Sequence, residues 1–156
     1  MLDSRTMPSP PVAVVDALNS LLEAEQSSVF RFMGEGSPYL SRATADVKRP
    51  LQEMVHANAR HVATLAKMVQ ALGGDVPPRS VRPEEQYLAF LSLKFLLPKL
   101  VDEKGLIIRR YENALRSLAD APPEVTRTLR AHAAEHKAHQ DVLRKAADDV
   151  IAASRG

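Results

Sequence analysis

The sequence predicts an all-α fold, an antiparallel up-down-up-down four-helix bundle, and three observations carry that prediction. Aromatic residues make up 4% of the 156-residue chain and tryptophan is absent, while the hydrophobic fraction is an ordinary 45%. A core built mainly of Leu, Val, Ala and Met suits helices better than packed sheets. Apolar residues recur at three- and four-residue spacing through four long segments, and no stretch alternates with period two for long enough to demand a strand. Proline and glycine clusters separate those segments. A chain of this length is most simply one domain with a substantial core.

Residues 1–11, with Pro8, Pro10 and Pro11, read as a flexible N-terminal arm, and 12–153 as the bundle domain. The first helix spans roughly 12–34, with Val14, Leu18, Leu21, Leu22, Val29 and Phe32 at helical spacing, and "GEGSPYLS" ends it. The second runs from about 43 to 72 and stops at Gly73-Gly74, a strong C-terminal signal. "DVPPRSVRP" connects it to a third helical region, Pro83 to about 119, where Pro98 predicts a kink or a break. "DAPPE" opens the fourth, with Asp120 as cap and Glu124 in the first turn, and that helix continues to about 152. Short links make antiparallel neighbours the simple arrangement. A coiled-coil scaffold is the alternative all-helical reading, weakened by irregular apolar spacing and the Pro and Gly breaks.

Composition removes several function classes. The formal charge is +2, with 21 Lys and Arg dispersed among 19 acids, and there is no Gly-rich phosphate loop or basic-aromatic motif, so nucleic acid is not an expected partner. Cysteine is absent, which excludes disulfides and thiolate ligands. The most apolar stretch, "YLAFLSLKFLLPKL", is interrupted by Lys94 and Pro98 and is too short for a membrane span. The N-terminus has no apolar signal core, and the expected location is the cytoplasm.

The direction of polar residues around each helix, at about 100° per residue, points to a buried site. On the fourth helix the stripe is Val125, Leu129, Leu143, Ala146 and Val150; His132, His136 and His139 fall close to its centre, and Glu135 lies nearer its edge. On the second helix Glu53 and His56 have the three-residue spacing of a paired metal motif but point away from the stripe, whereas Asn58 and His61 lie on it or at its edge. Glu25 sits near the centre of the first-helix stripe, where a carboxylate must be paired, protonated or bound to metal; Glu23 reads as surface. On the third helix Leu93, Leu100, Ile107, Tyr111 and Leu118 form one side, with Glu103 flanking it and Glu112 further round. Tyr111 reads as a core aromatic in preference to a hydrogen-bond donor. A hydrogen-bonded His–Glu network without metal is the competing interpretation of the same residues.

At these residues the chain resembles the ferritin-like superfamily, in the neighbourhood of bacterioferritins and rubrerythrins. "LNSLLEAEQ" resembles the first-helix pattern of Asn followed six residues later by a metal-binding Glu, here Asn19 and Glu25. "NARHVATLAKMVQALGG" resembles the second-helix element, with His61 in the His place and Asn58 where the pattern has Glu. The third-helix acid is best matched by Glu103, eight residues before Tyr111, with Glu112 as the fallback. "HKAHQDVL" matches the fourth-helix element with His139 in the His place and His136 where a Glu is expected; a shifted register would put Glu135 in the acidic role. The resemblance implies a ligand set of Glu25, His61, Glu103, His136 and His139, with Asn58, Glu112, His132 and Glu135 as lesser candidates. It implies iron, mononuclear or dinuclear, or zinc, and a homodimer or larger homo-oligomer. Haem is not expected, since Met33, Met54 and Met68 read as packing.

Three functions follow as expectations. The first is oxidoreductase chemistry, iron reacting with dioxygen or peroxide at a diiron-like carboxylate–histidine centre. The second is metal storage or binding without turnover. The third is a metal-free helical module that interacts with partners and is held together by a buried His–Glu network. Two usual carboxylates are replaced, so the site is nitrogen-rich, and imidazole does not bridge two irons as a carboxylate does.

Overall fold

The structure, a computed structural model, describes residues 10–33, 45–78 and 93–155. Among them are five helices: α1 (Pro10–Gln26), α2 (Val29–Met33), α3 (Ala45–Ala71), α4 (Leu93–Ser117) and α5 (Pro123–Arg155). The expected arm lies outside the described residues up to residue 9, and α1 already begins at Pro10. The "GEGSPYLS" terminator and residues 83–92 of the predicted third helix also lie outside them. None of the described helices is long and apolar enough to cross a membrane.

The first predicted helix is interrupted. At Ser27 the side-chain hydroxyl donates to the Glu23 carbonyl at 3.0 Å, competing for an acceptor the helix itself uses. Ser28 then caps the short α2: its hydroxyl accepts the Phe30 amide at 3.2 Å. The Val29 amide is taken by Glu103 Oε1, at 3.1 Å, from α4. Pro98 neither breaks nor ends its helix: α4 is continuous from Leu93 to Ser117. The start of α5 also differs from expectation. Pro123 is its first residue, where a missing amide costs nothing, and the Pro122 carbonyl accepts the Val125 amide at 2.9 Å; Asp120 lies in the preceding turn and is not the cap. Glu124 does fall in the first turn.

The end of α3 follows the glycine pair. The Gly74 amide donates to the Val69 carbonyl at 2.9 Å and the Gly73 amide to the Gln70 carbonyl at 3.0 Å, the two bonds of a Schellman motif. Gly73 holds φ 79°, a left-handed conformation that disfavours side chains with a Cβ. Gly74 lets the chain pass close to α1, since a Cβ there would meet Val15 Cγ1 at 2.6 Å.

Apolar side chains form two clusters stacked along the bundle. One contains Leu18, Leu22, Leu65, Val69, Tyr111 and Leu129; the other contains Phe30, Leu51, Met54, Leu97, Leu100 and Leu143. These clusters fix the direction of every long helix. α1 runs from the first cluster toward the second, α3 and α4 both run from the second to the first, and α5 returns. The bundle is all-helical as the sequence predicts, but its four long helices run up-down-down-up, not up-down-up-down. The stretch between Ala71 and Leu93 permits this, because a partly extended chain of that length spans the roughly 37 Å of a helix the size of α4. α4 and α5 are antiparallel over the short link of residues 118–122, and α1 and α3 are also antiparallel to each other.

Replacing Gly73 by Ala is expected to destabilise the protein by about 1 kcal/mol, because a Cβ must then adopt the left-handed region. A urea midpoint unchanged from wild type in equilibrium denaturation would contradict the Schellman assignment.

Candidate metal centre

Between the two apolar clusters lies one polar layer. Glu25, 1% exposed, enters from α1, just before the serine break turns the chain. Asn58 and His61 come from α3, Lys104 and Tyr111 from α4, and His132 and His136 from α5, all buried. Each follows the apolar phase of its helix, which is why the fold draws them inward.

The Glu25 carboxylate organises the layer. Its Oε2 accepts the Tyr111 hydroxyl at 2.8 Å, and lies 2.8 Å from His136 Nε2 and 3.0 Å from His61 Nδ1. Asn58 Nδ2 donates to the other oxygen at 3.1 Å and to the Glu25 backbone carbonyl at 2.8 Å. Burial alone would raise this carboxyl. The hydrogen bonds from His136 and His61 instead hold it well below the usual carboxylate range.

The outer partners orient the rings. His61 Nε2 meets Glu135 Oε1 at 2.6 Å, and Arg60 donates to Glu135 Oε2 at 3.1 Å. Burial would raise Glu135, but bonds from Arg60 and then His61 bring it down to about 2. With one nitrogen given to Glu135, the opposite nitrogen of His61 is aimed at Glu25, as in the carboxylate–histidine pairs behind many metal sites. The His61 and His132 rings lie 4.0 Å apart between centroids. His132 Nδ1 is 3.1 Å from the Tyr111 oxygen; since that hydroxyl gives its hydrogen to Glu25, the imidazole is the donor there. Burial, then the nearby charge of His61, lowers His132 to about 4.

The expected ligands separate. Glu25, His61 and His136 come together, with ligand atoms all within 4.8 Å of one another. Glu103 does not join them: its Oε1 holds the Val29 amide at the break between α1 and α2. Burial pushes the Glu103 carboxyl up. His139 is half-buried, its Nδ1 has no hydrogen-bond partner among the described residues, and burial followed by the charge of Lys104 lowers it to about 4. His132 and Asn58 flank the group through Tyr111 and Glu25, and Glu135 supports it from behind His61. Glu112 pairs with Lys137 at 3.1 Å on the surface, a contact worth little in water. Glu53, His56 and Glu23 are exposed, and Met33 and Met54 pack in the second apolar cluster. Tyr111 is both a core aromatic and the donor to Glu25, so the preference for packing alone is corrected.

Sequence reasoning missed Lys104. It is 3% exposed, its Nζ lies 3.0 Å from His136 Nδ1, and it sits 4.4 Å from the centre of the Phe30 ring. Burial lowers it to about 8, against the opposing pull of Glu25 and Glu103. The signal in the phase was slight: at about 100° per residue Lys104 falls about 40° from Leu100 and Glu103 about 60° on the other side, so both flank the stripe of Leu100, Ile107 and Tyr111 and Lys104 is the nearer.

One carboxylate oxygen and two imidazole nitrogens suit a single divalent ion such as zinc or iron(II). They suit a pair of irons poorly, because Glu25 is the one acid in the group and a single carboxylate offsets little of the charge of two ions.

The acid side of the stability profile follows from these groups. His132 and His139, lowered to about 4, and His136, lowered in the same direction by burial, stay neutral in the fold while the unfolded chain takes up protons near pH 6.5. Stability is therefore lost as pH falls from about 6.5 toward 4. The depressed Glu25 and Glu135 contribute stability above pH 4.5 that is lost as pH falls toward their folded values; Glu103, raised, opposes them. The urea midpoint is expected to drop steadily from pH 7 to pH 3, and His132→Gln to flatten the part between 6.5 and 4. A profile flat over that range would refute the neutral, buried state of these rings.

Comparison with known proteins agrees with the geometry. A crystal structure of ferritin-like, diiron-carboxylate proteins from Bacillus anthracis str. Ames superposes with a TM-score of 0.73 over 90% of this chain and 99% of that one, at 17% identity. That likeness establishes a ferritin-like fold. No curated protein matches the sequence. Residues 12–147, nearly the whole bundle, match the family described as a domain of unknown function, DUF6306, and the chain belongs to that family.

Proposed function

We propose that this protein binds one divalent metal ion, iron(II) or zinc, through Glu25, His61 and His136, and that the iron form reduces dioxygen or peroxide. The observation that carries the reading is the crowding at one atom. Three polar groups stand 2.8–3.0 Å from Glu25 Oε2, whereas a carboxylate oxygen offers about two lone pairs. A cation shared by Glu25 and the two imidazoles relieves that excess.

Glu25 supplies the negative charge, and the two rings supply nitrogen ligands on facing helices. Glu135 holds His61 in the orientation that leaves Nδ1 toward Glu25. Tyr111 keeps a proton 2.8 Å from Glu25 Oε2, and His132 stands behind its oxygen as the next donor. Bound iron would supply electrons to dioxygen or peroxide; zinc would confine the centre to binding. The second reading, a metal-free network, is favoured by one contact, the Lys104 ammonium on His136.

Elemental analysis and calorimetric titration with zinc and iron(II) separate these. Glu25→Ala and His61→Ala are expected to lose binding by a hundredfold or more, while Glu103→Ala and His139→Ala keep it within a few-fold. Equal metal content in all four variants and wild type would rule out this centre. If metal binds but iron-loaded protein consumes dioxygen or peroxide no faster than free iron, the redox part fails and binding stands.

A further inference from the structure

We infer that Lys104 is a resident cation that competes with a metal ion for the Glu25–His136 pair, and so limits the centre to at most one weakly held ion. The inference rests on the metal-binding reading above and adds a residue to it that is not a ligand.

Lys104 has no route to solvent for its charge: the residue is 3% exposed and its stem lies within the bundle. Among the described residues its ammonium lies 3.0 Å from His136 Nδ1 and 4.4 Å from the centre of the Phe30 ring. The acids whose charge acts on it are Glu25, Glu103 and Glu135. Glu103 gives one oxygen to the Val29 amide and burial disfavours its charge, while Glu135 is shared by Arg60 and His61. Glu25 is thus the acid left to balance the ammonium, and it is also the acid a metal ion needs.

Hydrogen bonding makes the competition specific. An ammonium has donors and no lone pair, so His136 Nδ1 accepts from Lys104 and the ring proton sits on Nε2. That nitrogen then donates to Glu25 Oε2, at 2.8 Å. A metal ion on Nε2 must displace that proton, and the ring, once coordinated, needs its hydrogen on Nδ1, where it would face the ammonium. Lys104 therefore holds His136 in the tautomer that donates to Glu25 and withholds the one that ligates. Two cations would also share one buried carboxylate, and repulsion between them is little screened in the bundle interior.

The test compares wild type with Lys104→Met, which keeps the length of the stem and removes the charge, and with Lys104→Gln, which keeps polarity. Zinc is titrated into each protein by calorimetry, metal-to-protein ratios are measured after gel filtration, and circular dichroism melts report folding. The expected result is zinc binding tighter by about 10- to 100-fold in the neutral variants, the range typical of groups that support ligands from behind. Binding equal to or weaker than wild type in a folded neutral variant overturns the inference and leaves the metal-binding reading standing. Zinc bound by Lys104→Met but not by wild type upholds the inference and overturns metal binding by the native protein. Binding by neither overturns both. On wild type itself, nitrogen-15 NMR is expected to find His136 protonated on Nε2 without metal; a proton on Nδ1 overturns the inference whether or not the variants fold.

Discussion

A carboxylate with almost no solvent contact, placed midway along an otherwise apolar bundle, sets the terms for everything around it. Glu25 cannot remain charged there without donors, and the fold supplies them from three other helices: Asn58 and His61, Tyr111, and His136. Glu135 in turn holds His61, His132 holds Tyr111 and Lys104 holds His136, so the polar layer is continuous from Arg60 at the surface to Lys104 in the interior. Such a network is costly to leave half-satisfied, and this ties the relative height of α1, α3, α4 and α5 to one atom position. The two apolar clusters provide the bulk of the burial; the layer between them provides the register.

Charge balance explains how the ferritin-like frame has been repopulated. Asn58 stands where the resemblance places an acid, and it turns an acceptor into a donor aimed at Glu25. His136, where the resemblance also places an acid, donates to the same carboxylate. The Glu25 carboxylate, almost wholly buried, offsets part of the charge of the buried Lys104 ammonium. The remaining acids serve other ends. Glu103 holds the chain where α1 breaks into α2, and Glu135 is shared between His61 and an exposed arginine.

The direction of the helices matters to the site as much as their presence. Because α3 and α4 run the same way, both are antiparallel to α1 and to α5, and His61 and Tyr111 reach Glu25 at the same level. The antiparallel link of Leu118–Pro122 sets Tyr111 against His132 and Lys104 against His136. A layer assembled from residues so far apart in the chain depends on this order, since every one of its key contacts joins different helices.

Sequence periodicity by itself determined the helical class, the approximate limits of α3 and α5, and the inward facing of Glu25, His61, His132 and His136, because burial follows helical phase whatever the neighbour. It also determined that Glu53 and His56 face outward despite their suggestive spacing. Only the tertiary structure decided that α3 and α4 are parallel, since chain length between helices permits either direction. Only it decided which inward groups meet: His139 lies about one turn beyond His136 and misses the layer, and Glu103 lies on the opposite flank of the α4 stripe from Lys104. Axial level and small differences of phase choose between such neighbours, and both are set by how the helices pack, which one helix's own pattern does not contain.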